Sequence, residues 1–69
     1  MMNRDERTIG RCGGHYCRVR RQRGVESVYH YRPDGRAWYI CRYESKKNAL
    51  AIWRGYLAQK GIDGEVVEL

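Results

Sequence analysis

Residues 32–36, RPDGR, fit neither a helix nor the middle of a strand. Pro33 lacks an N–H and fixes its own φ, Asp34 suits the next corner of a type I turn, and Gly35 supplies the left-handed residue that closes a three-residue hairpin loop. Residues 21–25, RQRGV, carry the same ending, polar residues followed by Gly24. The two loops divide the middle of the chain into segments rich in Tyr, Val, Trp and Ile, at 15–21, 25–32 and 36–43. Strands joined by loops this short run antiparallel, so the segments predict a three-stranded meander.

Beyond residue 43 the apolar period lengthens from two to three and four. Ser45 is a good N-cap, and Ala49, Leu50, Ile52, Trp53, Tyr56 and Leu57 recur at helical spacing until Gly61 supplies a stop. The spacing predicts a helix over 46–60. Sixty-nine residues make one small domain, in which burial on folding covers only about 60% of the unfolded surface. The expected fold class is therefore α+β: a three-stranded antiparallel meander packed against one C-terminal helix. Val66 and Val67 in the tail GEVVEL lean toward a short fourth strand. Residues 1–10 are polar, with Ile9 the only branched apolar side chain, and are expected to form a flexible arm before a single domain at 11–69.

Counting outward from both glycine loops sorts the sheet into two faces. Cys17, Val19, Val25, Ser27, Tyr29, Tyr31, Ala37, Tyr39, Cys41 and Tyr43 share one, uncharged except at its rim and expected to meet Ala49, Leu50, Trp53 and Leu57 of the helix. The opposite face carries rows of Tyr16, His30 and Trp38, then Arg18, Val28 and Ile40, then Arg20, Glu26 and Arg42, with Arg32 and Arg36 at the hairpin tip. A one-residue slip in either turn exchanges these roles.

Fourteen Lys and Arg against eight Asp and Glu leave a formal charge of +6, and eleven of the fourteen are arginine. Flat guanidinium forks suit phosphate and base edges, and rings flanked by them suit stacking on bases, so the sequence points to a polyanionic partner, nucleic acid above all. The expected contact residues are Tyr16, Arg18, Arg20, His30, Arg32, Arg36, Trp38 and Arg42. Lys46 and Lys47 join them: the first turn of a helix disfavours cations unless an anion binds there. No apolar run approaches a membrane span of ~18 residues, and the charged opening MMNRDERTIG lacks a signal peptide, so the expected compartment is the cytoplasm. Neither an enzyme nor a cofactor is expected, because His15 and Cys17 lack an orienting acid and an oxyanion loop, and Gly13 and Gly14 lack the GK[ST] of a phosphate loop.

Three cysteines are an odd number, which excludes a full disulfide framework in a monomer and favours reduced thiols. Cys12, His15, Cys17, His30 and Cys41 would suffice in number for zinc, but Cys12 and Cys17 are separated by four residues and a second closely spaced pair is missing. The register above also puts His30 on the face opposite Cys17 and Cys41.

Three strands followed by a packed helix, with GRAWYICRYESKKNALAIW crossing from the last strand into the helix, resemble the DNA-binding domain of plant ethylene-response factors. The pattern is similar also to the N-terminal arm-binding domain of phage and transposon integrases. The resemblance covers residues 14–60 and implies a sheet that enters the major groove of DNA, with Arg18, Arg20, Arg36, Trp38 and Arg42 touching bases and phosphates. It favours DNA over RNA. Two other readings stay open: a small phage or mobile-element inhibitor, such as an anti-CRISPR protein, binding a protein or ribonucleoprotein through the same face, and a zinc-stabilised structural module. An unpaired outer strand leaves both a monomer and an edge-strand homodimer open.

Overall fold

A computed structural model of the chain describes residues 6–69. In chain order it contains β1 (Glu6–Cys12), β2 (His15–Gln22), β3 (Val25–Tyr31), β4 (Ala37–Arg42), α1 (Lys46–Gln59) and β5 (Val67–Glu68). The strands form one antiparallel sheet in the order β4-β3-β2-β1-β5, and α1 covers one face, so the fold is α+β. No helix among the described residues is long and apolar enough to cross a membrane.

The main departure from expectation lies at the start of the chain. Residues 6–10, expected in a flexible arm, belong to β1, while 1–5 lie outside the described residues. β1 pairs with β2 through a two-residue turn at Gly13 and Gly14, where Cys12 faces His15 and Gly13 has φ of 59°. Gly14 lies close to the other hairpin, since a Cβ there would stand 3.1 Å from Pro33 Cγ. The tail pairs as its valines suggested: Val67 and Glu68 register with Arg11 and Gly10, giving β1 a neighbour on each side.

The loop at Pro33 forms as predicted, with Arg32 N–H donating to Arg36 O at 2.8 Å and Gly35 N–H to Arg32 O at 2.9 Å. The loop at Gly24 does not. It is one residue tighter, with Gln22 opposite Val25, and both Arg23 (φ 54°) and Gly24 (φ 79°) are left-handed, as a type I′ turn requires. Every residue of β3 therefore turns to the face opposite the expected one. In β4 a bulge at Ile40 shifts the register between Val28 and Tyr29, so Cys41 lies opposite Val28 and Arg42 opposite Ser27.

The core lies between the sheet and α1. Ile9, Cys12, Cys17, Val19 and Val28 pack beneath Ala49, Leu50, Trp53 and Leu57, the helix stripe expected from its spacing. Ser45 caps α1 by accepting a 3.1 Å hydrogen bond from Asn48 N–H, and left-handed Gly61 ends it as Ile62 N–H reaches back to Leu57 O at 2.9 Å. Gly10 lies directly against the helix side chains: a Cβ there would stand 2.8 Å from Leu50 Cδ2 and 3.0 Å from Trp53 Cζ3. Gly10→Ala is expected to destabilise the domain by about 1–3 kcal/mol through overpacking. Gly55→Ala, on an exposed helical position with open space around it, is expected to add about 0.5–1 kcal/mol. Urea midpoints of the two variants should move in opposite directions.

Candidate nucleic-acid interface

The sheet face away from α1 is built in three cross-strand rows. They run Glu6, Arg20, Ser27 and Arg42; then Thr8, Arg18, Tyr29 and Tyr39; then Arg11, Tyr16, Tyr31 and Ala37. Tyr16, Arg18, Arg20 and Arg42 are thus on the face expected of them, whereas its other rings are Tyr29, Tyr31 and Tyr39. The tighter turn at Gly24 exchanged Val28, His30 and, on β4, Trp38 for these tyrosines. A shift by one residue moves a whole strand's side chains to the other face, so the length of one loop decides the aromatic content of the site.

On this face the cations and rings are interleaved. The Arg18 guanidinium lies 4.6 Å from the Tyr31 ring centre and 5.5 Å from that of Tyr16, and Arg20 lies 4.5 Å from that of Tyr29. Tyr39, 59% exposed, meets Tyr29 edge to face at 5.9 Å. Glu6 is the one carboxylate in the three rows. It accepts 2.6 Å from the Tyr31 hydroxyl and lies 3.4 Å from Arg18 and 3.5 Å from Arg20. Burial, followed by the bond to Glu6, holds the Tyr31 hydroxyl pKa above its usual value. Arg18 Nε is buried without a hydrogen-bond partner, and Arg18 borders a cavity of about 340 Å³ with Tyr16, Tyr31 and Arg32.

The opposite face holds the residues that slipped. His30 is 1% exposed, and its Nδ1 accepts 2.8 Å from the Trp53 indole N–H. Since an indole nitrogen only donates, the His30 proton sits on Nε2, which lies 3.3 Å from His15 Nδ1. The two imidazoles stack at 5.2 Å, and the Tyr56 ring closes on His30 at 4.8 Å. Trp38 registers with His30, as counted from the Pro33 loop, but on the helix side of the sheet. Together His15, His30, Arg32, Trp38, Tyr56 and Lys60 border an open cleft of about 310 Å³. Expected outer-face contacts His30 and Trp38 are thus inner-face residues, and Arg32 at the hairpin tip borders both cavities.

Burial above all, then the nearby His15 and Arg32, pushes the His30 pKa down to about 4 from an ordinary 6.5. Because the folded value is depressed, the unfolded chain takes up the proton first; the stabilisation is complete above about pH 6.5 and is lost as pH falls toward 4. Unfolding free energy is expected to fall by about 2 kcal/mol between pH 7 and pH 5, above most carboxylate titration. Urea titrations at the two pH values measure it, and equal midpoints would refute the assignment.

The remaining expected contacts are scattered. Arg36 is exposed at the hairpin tip, 3.8 Å from Asp34. Lys46 donates 2.6 Å to the Leu69 backbone oxygen, and Lys47 lies beside it near Arg54 on the helix side, so neither joins the outer face.

The candidate zinc ligands also move. His30 shares the inner face with Cys17, its cross-strand partner, and with Cys41, contrary to the expectation that separated them. Both His30 ring nitrogens, however, already face partners, Trp53 and His15. Among the described residues no group of three or more His, Cys, Asp or Glu is arranged to hold a metal ion. Cys12, Cys17 and Cys41 are free thiols, and burial, followed by the neighbouring Cys41, pushes the Cys17 pKa up to about 12.

Sequence reasoning missed Arg11 and Glu6, which reach the outer face only because β1 exists. The Gly13-Gly14 dipeptide was the available signal, as a two-residue hairpin loop. No family model, curated protein or solved structure matches the chain.

Proposed function

We propose that the chain is a non-enzymatic nucleic-acid-binding protein that uses the sheet face away from α1. The observation that carries this reading is the three-row surface itself, which sets Arg11, Arg18, Arg20 and Arg42 among Tyr16, Tyr29, Tyr31 and Tyr39 with Glu6 as its only acid. Guanidinium groups neutralise phosphates, and the rings between them offer faces to bases. Tyr39, which is exposed, is the ring best presented for stacking, ahead of the half-buried Tyr16, Tyr29 and Tyr31. The resemblance to sheet-reading domains supports DNA as the partner.

The test is binding to duplex DNA, single-stranded DNA and RNA at two salt concentrations. Affinity should drop steeply with salt, as release of counterions requires. No binding at low salt would overturn the reading in favour of a protein partner.

Glu6→Gln supplies a finer prediction. The amide oxygen still accepts from Tyr31, while the negative charge beside Arg18 and Arg20 disappears. Removing a like charge near phosphate is worth about 1 kcal/mol in water, so affinity should rise roughly fivefold at low salt. The rise should shrink at high salt.

A further inference from the structure

The inner cleft has a composition that core packing does not require. It is lined by Ile62 and the rings of His15, His30, Trp38 and Tyr56, with His30 held by Trp53. Its rim pairs each cation with a ring: Arg32 lies 5.5 Å from the Trp38 ring centre, and Lys60 lies 5.7 Å from that of Tyr56. Trp38 is 40% exposed although it shares a row with the buried Cys17 and His30. The rim therefore combines two ring faces with two positive charges.

The hydrogen-bond chain adds a directional donor. Trp53 fixes the His30 proton on Nε2, and His15 Nδ1 accepts it. A neutral His15 then carries its own proton on Nε2, the nitrogen left for a ligand. A group that fits these features is flat and aromatic, has an acceptor on its edge and carries an anion. At about 310 Å³ the cleft is at the small end of the ~300–1,000 Å³ range of ligand sites, large enough for one such group.

We propose that this cleft takes one unstacked nucleotide, its base against Trp38 and Tyr56, its phosphate at Arg32 and Lys60, and a base acceptor on His15. The proposal rests on the nucleic-acid reading through one residue. Arg32 borders both the cleft and the outer cavity of Tyr16, Arg18 and Tyr31, so a single strand crossing the outer face reaches the cleft by rounding the hairpin tip. A base paired in a duplex cannot leave its stack without an unpairing cost, which makes the cleft selective for single strands.

The experiment follows indole emission, to which Trp38 is the accessible contributor because Trp53 is fully buried. Wild type and Lys60→Ala are each titrated with adenosine 5′-monophosphate, with adenosine and with inorganic phosphate. A fluorescein-labelled ten-nucleotide single strand and a labelled duplex are then titrated with wild type, Lys60→Ala and Trp38→Ala and followed by the anisotropy of the label, which needs no tryptophan. The expected result is saturable quenching by the nucleotide, weaker for either half alone, with single-strand affinity lowered about tenfold in both variants and duplex affinity unchanged. Strand binding weakened in the variants without response to the free nucleotide assigns the cleft to a nucleotide within a strand. The reverse pattern assigns it to a free nucleotide. If the nucleotide gives no response and both variants hold the strand as tightly as wild type, the cleft proposal falls while the outer-face reading stands. If the nucleotide binds and is lost in Lys60→Ala but no strand binds, the cleft stands and the outer-face reading falls. No response to any of these probes overturns both.

Discussion

Trp53→Ala is expected to leave the domain largely unfolded at room temperature. Trp53 is 0% exposed, sits against the Gly10 backbone and donates to His30 across the core. Truncating a buried tryptophan costs about 3–5 kcal/mol in lost transfer energy and cavity. Leaving His30 Nδ1 without its donor costs about 1–3 kcal/mol more. At about 0.05–0.15 kcal/mol per residue, a chain of 69 residues has roughly 3–10 kcal/mol of stability to lose. Trp53→Phe narrows the comparison, because it keeps a six-membered ring in the core while losing the N–H and the five-membered part of the indole. It should lie between wild type and alanine in a urea titration followed by circular dichroism. A wild-type midpoint for Trp53→Ala would show that the helix does not carry the core.

The second large effect concerns binding. Arg18→Gln with Arg20→Gln should lower nucleic-acid affinity about a hundredfold at low salt, because two adjacent phosphate contacts disappear together. The plot of log affinity against log salt should become shallower by about 1.4 for a single strand or about 1.8 for a duplex, from the charges removed. Glutamine is chosen because its amide can still meet Glu6, which both arginines approach. The fold should lose little, since the Arg18 and Arg20 side chains keep 33% and 29% of their surface in solvent and cation–ring contacts at such sites contribute about 0.5–1 kcal/mol each. Unchanged affinity and slope in a folded double variant would remove the outer face from consideration.

The helix was legible down to its cap and its four buried residues, because Ser45, the Ala49, Leu50, Trp53 and Leu57 spacing, and Gly61 are local signals that agree. The Pro33 loop was legible for the same reason. The Gly24 loop was not, because a type I′ turn prefers Asn, Asp or Gly at its first central position and here that position holds Arg23 at φ 54°. β1 escaped because Glu6, Arg7 and Arg11 make the segment read as polar; its buried contribution is only Ile9, Gly10 and Cys12. Arg42 kept its expected face only because two departures cancel: the slip in β3 is undone by the bulge at Ile40. The site was readable in its β2 residues, Tyr16, Arg18 and Arg20. Its partners on β3 depended on a backbone angle that composition does not reveal.

That bulge also bears on how copies of the chain meet. Among the described residues β4 is an unpaired edge of the sheet, while β5 covers part of the other edge along Gly10 and Arg11. An unbroken edge strand offers a regular ladder of amides to any extended chain nearby and so invites stacking into larger sheets. In β4 the ladder is interrupted at Ile40, leaving only the short run from Ala37 to Tyr39 in regular spacing before the kink. The irregularity that restores Arg42 to the outer surface also makes this border a poor template for aggregation.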